Sequence, residues 1–348
     1  MNANPLKVAV VGGGFIAQSV HIPCLLKCRN AKLVAVCDKN EELARNVATR
    51  FRVNSSYADF AEMLRENKLD AVDICTSINT HASLAIQAME AGCNVLVEKP
   101  MALNTREADE MINTSRKNQA KLGVVHDMLF GLAIMKMKAI VKKGAIGRVV
   151  GIEIKQGFPP KDFPPLLDKT HWWHKLPGGV FGDTLPHPIY LAREFLGDIE
   201  LVSVHTTKIG NLKHMRFDEV RIILEGRSGV GIISSSCNWP SLMMVDIFGT
   251  KMNIHGNLYN SVVITYKGKS NMGKGSPPRR AIENLNQIFQ ILTSTASTSA
   301  KVILGKHGGH RIVLTRFIES IRNGTELPTS AEDGRKVVKI WEKITNRM

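Results

Sequence analysis

At 348 residues and 44% hydrophobic content, the chain can bury a substantial core and fold as about two domains. No apolar run approaches a bilayer's span, and Met1 to Pro5 reach the first apolar run too quickly to hold a signal peptide, so a soluble, cytoplasmic protein with no membrane partner is expected. The formal net charge of +15 favours anionic ligands such as phosphorylated compounds, while the lack of a recognition module or interleaved aromatics argues against nucleic acid.

From residue 6 to about 125, LKVAVV, LVAVCD, AVDICT, NVLVEK and AKLGVVH read as strands. Between them EELARNVATRF, ASLAIQAMEAG and TREADEMINTSRKN carry helical periodicity. The alternation predicts an α/β fold, a doubly wound parallel sheet covered by helices on both faces. Pro23 makes the first helix short or kinked. After about residue 130 a helix, LAIMKMKAIVKKG, precedes longer strand-like runs: VVGIEIKQ, LVSVHTTKI, VRIILEG, VGIISSSC, MMVDIFG and SVVITYKG. Short glycine-containing turns such as LEGRSGVG and FGTKMNIHG suggest antiparallel pairing, hence a second, α+β domain. A helix over Ala281 to Leu304 and two more after His310 close the chain.

The glycines after the first strand sit as Gly12-x-Gly14-x-x-Ala17, with Asp38 at the end of the next strand about twenty residues beyond. In that strand-loop-helix setting the pattern reads as a dinucleotide fingerprint. Gly12 permits the tight turn, Gly14 lets a pyrophosphate approach, and amides at the helix start, around Phe15 and Ile16, meet the phosphates. Asp38 would accept ribose hydroxyls and repel a 2′-phosphate, favouring NAD; the adjacent Lys39 leaves NADP open.

The segment Thr76-Ser-Ile-Asn79-Thr-His81, then AxxAMEAGCNVLVEKPMA with Glu98-Lys99-Pro100, resembles the glucose-fructose oxidoreductase, inositol dehydrogenase and rhizopine-catabolism (Gfo/Idh/MocA) family. The resemblance continues through His126, Trp173, Gly178-Gly179 and Asp183-x-x-x-His187 to the closing FIESIRNGTELPTSAEDGRKVVKI. It implies a Rossmann domain over 1–126 and a substrate-binding and oligomerisation domain over 127–348, with an open, mainly antiparallel sheet and C-terminal helices able to pack back on the first domain. It also implies cofactor contacts at Thr76, Asn79, His81, Glu98 and Lys99, substrate contacts at Lys99, His126, Asp127, Trp173, Asp183 and His187, and a homodimer or homotetramer. Departures at Asp127, Leu129, Leu185 and Tyr190, read as substrate-facing, weaken the transfer of any particular polyol.

The chemistry is consistent with that resemblance. Oxidising an alcohol with NAD requires removal of the hydroxyl proton by a base or polarising cation at the oxygen. Lys99 ends a sheet strand, where ligands bind in open α/β folds, and Asp183 and His187 stand four apart at a helix start, on one face. The resemblance makes Lys99, Asp183 and His187 the catalytic set acting on a sugar, polyol or nucleotide-linked sugar. The alternative is a catalytically silent dinucleotide-binding sensor or regulatory subunit.

Six scattered cysteines without CxxC spacing read as buried thiols, and His171, His174 and His187 lack the companions of a zinc site, so no metal is expected. Lys251, Lys267, Lys269, Lys274, Arg279 and Arg280, within a stretch 251–280 free of Asp and Glu, read as a solvated loop and helix start.

Overall fold

Strand β1 (Leu6–Val11) is buried on both faces from Val8 onward, as a central strand of a parallel sheet must be. After the glycine loop comes a π-helical turn over Ala17–His21 and then a five-residue helix, α1 (Ile22–Leu26), with Pro23 in its first turn. His21 keeps helical angles, φ −65° and ψ −55°, so the π-turn runs directly into α1 and Pro23, which can donate no i−4 hydrogen bond, sits inside a continuous helical segment just after the π-turn. The chain continues through β2 (Ala31–Cys37), α2 (Glu41–Phe51), β3 (Ser55–Tyr57), α3 (Phe60–Glu66), β4 (Ala71–Ile74), α4 (His81–Glu90), β5 (Asn94–Val97), α5 (Thr105–Lys117) and β6 (Leu122–Val124). Asn40, Asp59 and Asn104 begin α2, α3 and α5, each side chain accepting the N–H three residues on.

The six strands are all parallel, in the order β3-β2-β1-β4-β5-β6. The order reverses between β1 and β4, so the chains leaving these two strands diverge and open a crevice at their carboxyl ends. The glycine loop and the Thr76 loop both begin at that switch point.

A second sheet follows α6 (Leu132–Lys142). It comprises β7 (Val149–Gly157) and, after α7 (Val180–Thr184) and α8 (Pro186–Leu196), strands β8 (Ile199–Thr207), β9 (Glu219–Gly226), β10 (Gly229–Ser236), β11 (Leu242–Gly249), β12 (Asn253–Asn257) and β13 (Val262–Tyr266). The order is β13-β12-β11-β7-β10-β9-β8, antiparallel except between β7 and β10. Helix α8 packs on β7, β10 and β8, and α6 on β12 and β13. Val150, Ile223, Val230 and Ile232 remain exposed. Two strands escaped the sequence reading, β3 and β12, because SSY and NIHGN contain no apolar run.

Helix α9 (Ser276–Ile303) lies along the edge strand β13, and α10 (Gly309–Asn323) and α11 (Ala331–Thr345) end the chain. This computed structural model describes the backbone of residues 4–267, 276–303 and 308–348, and side chains at all of these except 276–280 and 301–303. Of the basic stretch, Lys251 and Lys267 are exposed, while Lys269, Lys274 and the side chains of Arg279 and Arg280 lie outside the described residues.

Residues 1–127 with 309–342 form one compact unit, and 128–308 with 343–348 the other. The expected bounds, 1–126 and 127–348, part the chain near the same point, and of the C-terminal helices expected to be able to pack back on the first domain, 309–342 lie in the first unit. Helix α10 packs against α1 and β5, and the Thr329 hydroxyl donates to the Val124 carbonyl. Of the six free cysteines, Cys37, Cys75, Cys93 and Cys237 are buried, whereas Cys24 and Cys28 are only partly so.

Candidate active site

Gly12 leaves β1 with φ +94°, and a Cβ there would lie 2.8 Å from the carbonyl carbon of Cys75 and 2.9 Å from the Thr76 nitrogen. Only glycine fits, because the exits of β1 and β4 touch at this point. At Gly14 the opposite holds: a Cβ would meet nothing within 4 Å, so the backbone is open to a phosphate. Phe15 is 83% exposed and Ala17 is buried where the turn packs on the sheet. The Asp38 carboxylate accepts the N–H of Gly13 at 2.8 Å and of Asn40 at 2.9 Å. It braces the loop and keeps lone pairs for further donors. This open glycine backbone with a braced carboxylate at the end of β2 suits the phosphates and ribose of a dinucleotide.

At the neighbouring exit, Thr76 is half-buried and Asn79 exposed, with the Thr80 hydroxyl donating to that of Thr76 at 2.8 Å. His81 is not at the surface: it is buried, with Nδ1 2.9 Å from the Pro100 carbonyl and Nε2 2.9 Å from the Thr76 carbonyl. Burial pulls its pKa down, against both carbonyls. His81, expected as a cofactor contact, thus ties the Thr76 loop to the segment after β5.

That segment is Glu98-Lys99-Pro100, with a cis Lys99–Pro100 bond. Lys99 is half-buried at the carboxyl end of β5, and its main-chain N–H donates to Glu98 Oε2 at 3.0 Å. Glu98, expected as a cofactor contact, is itself buried, with Oε1 2.9 Å from His21 Nε2. His21 Nδ1 in turn lies 2.8 Å from Asp73 Oδ2. Burial opposes charge on His21, but Asp73 outweighs it and holds the ring's pKa well above the ordinary value. Glu98 behaves reciprocally: burial would raise its pKa, yet hydrogen bonds from His21 and His310 hold it well below the usual carboxylate range. His126 is buried and Asp127 faces His310, with Oδ2 3.3 Å from Nδ1, so two residues expected to face substrate are engaged inside this unit. His21, Asp73 and His310 were missed because a lone histidine or aspartate in an apolar segment carries no pattern. The one local signal, a π-turn ending on His21, appears only in the fold.

In the second unit Asp183 lies in the last turn of α7 and His187 in the first turn of α8. The junction residue Leu185 keeps helical angles, φ −67° and ψ −27°, so the four-residue spacing holds both on one face. Asp183, Thr184 and His187 are half-buried, and their neighbours Leu185 and Tyr190 are buried. Leu185 and Tyr190, read as substrate-facing, are thus buried within the second unit. Tyr190 packs into the core and holds His187 instead, its hydroxyl 2.7 Å from His187 Nδ1 and accepting the Met128 N–H at 3.2 Å. Trp173 is half-buried in a short 3-10 turn, edge-on to His171 at 5.1 Å.

Residues 6–126 match the GFO/IDH/MocA oxidoreductase family with its NAD-binding Rossmann fold, and residues 134–255 match the GFO/IDH/MocA C-terminal domain. The chain belongs to this family and is an NAD-dependent dehydrogenase. It is 29% identical over 261 residues to myo-inositol 2-dehydrogenase of Thermotoga maritima, spanning 72% of this chain and 74% of that one. It is 24% identical over 346 residues to D-apiose dehydrogenase of Paraburkholderia graminis, 97% of this chain and 86% of that one. The WlbA dehydrogenase of Bordetella pertussis, solved with NADH and UDP-GlcNAcA, shares the fold with a TM-score of 0.80 at 20% identity, over 100% of this chain and 96% of that one.

Proposed function

We propose that the protein oxidises a hydroxyl of a sugar, polyol or nucleotide-linked sugar, with Lys99, Asp183 and His187 acting at the alcohol oxygen. The observation that carries this reading is the anchoring of Lys99 at the carboxyl end of β5, its main chain held by Glu98 and the next carbonyl by His81. NAD, when bound, supplies the two-electron acceptor. Gly12 and Gly14 take its phosphates and Asp38 its adenine ribose, in preference to NADP. The Lys99 ammonium donates to the alcohol oxygen and stabilises the negative charge that develops there. His187 takes the hydroxyl proton on Nε2, while Nδ1–H donates to the Tyr190 oxygen and fixes the tautomer. Asp183, one turn earlier on the same face, favours the charged ring that results.

The net charge of +15 supports an anionic substrate, a phosphorylated or nucleotide-linked sugar. Two relatives, named for myo-inositol and D-apiose, support the wider class. A homodimer or homotetramer is proposed from the family resemblance and the exposed apolar residues of the second sheet; light scattering after gel filtration tests it.

The test of function is a panel of sugars, polyols, sugar phosphates and nucleotide sugars, followed by NADH absorbance. Lys99→Ala and His187→Asn are each expected to keep NAD affinity and lose about two to four orders of magnitude in turnover. Activity within about tenfold of the parent, ~1.4 kcal/mol of barrier, would remove the residue from the mechanism. NAD binding with no turnover across the panel would favour the sensor.

A further inference from the structure

Five ionisable side chains far apart in sequence form one continuous row inside the first unit. Asp73 Oδ2 lies 2.8 Å from His21 Nδ1, and Glu98 Oε1 lies 2.9 Å from His21 Nε2. On its other side Glu98 Oε1 is 3.7 Å from His310 Nε2, and Asp127 Oδ2 is 3.3 Å from His310 Nδ1. A carboxylate only accepts hydrogen bonds, so the His21 ring, within hydrogen-bond distance of both Asp73 and Glu98, carries a proton on both nitrogens, while His310 stands at ion-pair distance from Glu98. The charges alternate from Asp73 through His21, Glu98 and His310 to Asp127. Such a row is poor evidence for stability, because a well-packed apolar replacement is often as stable. Its geometry does something more specific: His21 at 2.9 Å and His310 at 3.7 Å both face the oxygen of Glu98 whose partner oxygen accepts the Lys99 main-chain N–H.

We propose that His21 and His310 are positioning residues for Lys99, gripping Glu98 so that it holds the Lys99 backbone at the end of β5, with the proton on His310 setting how firmly the grip is closed. The proposal rests on the reading of Lys99 as the residue that meets the alcohol oxygen. His21 is buried and sealed, whereas His310 is the most exposed member of the row. The groups facing His310 are Glu98 after β5, Asp127 after β6 and the His21 ring, edge-on at 5.6 Å, with Arg311 next to it on its own helix. His21 is faced by Asp73 and Cys75 from β4 and its exit and by Cys24 of α1; burial pushes the Cys75 thiol up to about 12, so it stays neutral. Lys99 adds its charge beside Glu98. Burial works against the His310 proton, but Asp127 and Glu98 outweigh it, so His310 keeps its proton to higher pH than an ordinary histidine and the grip opens as pH rises.

The experiment combines amide hydrogen exchange at Lys99 with pH profiles of kcat, on the full chain and on His310→Asn, His310→Lys and Asp127→Asn. In the parent, Lys99 exchange, corrected for its intrinsic pH dependence, is expected to rise about tenfold as His310 deprotonates, in step with an alkaline fall in kcat. His310→Asn should exchange fast at every pH and lose about tenfold in kcat, with KM for NAD within twofold and no alkaline fall. His310→Lys, which keeps the charge, should restore both. Asp127→Asn removes the outer carboxylate and should move the alkaline fall to lower pH; it serves if His310→Asn does not fold. Lys99 exchange equal in parent and His310→Asn, or superimposable kcat profiles, would overturn the proposal. So would one divalent cation retained per chain after dialysis, since Nε2 of both rings and Glu98 Oε1 converge within 4.8 Å and its two charges would replace the two protons. The exchange arm needs no substrate, so a panel without turnover counts against the substrate reading alone.

Discussion

Asp38 and Gly12 do different work at the same turn. The Asp38 carboxylate spends one hydrogen bond on Gly13 and one on Asn40, which fixes where its remaining lone pairs point. A 2′-phosphate arriving there would meet a fixed negative charge. NAD should therefore bind at least tenfold more tightly than NADP, and Asp38→Ala should narrow that ratio mainly by weakening NAD. Fluorescence titration with both cofactors checks it, and equal parental affinities would contradict it. Gly12→Ala combines a positive φ with a backbone clash at 2.8 Å. A loss of about 2 kcal/mol or more in urea unfolding is expected, together with weakened NAD binding. The turn at Gly12 was legible from the GxGxxA spacing and Asp38 from its interval beyond it, whereas the clash with Cys75 comes from the neighbouring strand.

Helix α9 inverts the usual amphipathic arrangement. Its polar residues face the sheet: Gln290 accepts the Thr265 N–H at 2.8 Å and donates to the Thr265 carbonyl at 3.1 Å. Ser294 accepts the Val263 N–H at 3.3 Å and donates to the Ser261 carbonyl at 3.3 Å. The residues that meet β13 thus satisfy an edge strand that would otherwise offer unpaired backbone groups. Ile282, Leu285, Ile288, Phe289, Ile291 and Leu292 are left exposed. Gln290→Ala should cost about 1–2 kcal/mol by stranding two backbone groups. Phe289→Ser should stay within ~0.5 kcal/mol in the monomeric protein. Chemical denaturation of both variants at low concentration tests the inversion, and the reverse ranking would refute it. Helical periodicity located this helix but could not orient it, since the strand edge it covers is a product of the sheet.

Across the whole chain, the row through His21 makes stability depend on pH in both directions. His21 has a raised pKa, so its contribution is complete below the ordinary value of 6.5 and is lost as pH rises through the folded value. Glu98 has a depressed pKa, so its contribution is complete above the ordinary 4.5 and is lost as pH falls through the folded value. Removing the central ring should expose both dependences. At pH 7 His21→Met leaves Asp73 and Glu98 buried without their shared cation and should be less stable than the parent by about 3–5 kcal/mol. The gap should shrink on acidification, as protonation relieves the stranded carboxylates. Urea unfolding of parent and variant at pH 5.5 and pH 4, both below the ordinary histidine value so that the His21 contribution is complete at each, measures it; a gap that is constant or widens over that range would show that the carboxylates do not depend on His21.

Apolar runs of four to six residues and glycine at fixed offsets were enough to place β1, β2, β4 and β5, the dinucleotide loop and the Glu98-Lys99-Pro100 segment, because each depends on neighbours within one turn or strand. The four-residue interval from Asp183 to His187 survived a break between two helices for the same reason. Tertiary closure decided the rest. Residues 21, 73, 98, 127 and 310 meet only because parallel strands place their exits side by side and α10 returns the chain to the first unit. That closure turned Asp127 toward His310, gave His81 two backbone carbonyls and set Tyr190 against His187, partners at three positions for which the resemblance had implied ligand contacts. A buried polar group is defined by the partner that satisfies it, and where that partner comes from another element of the fold, no local spacing encodes the pair.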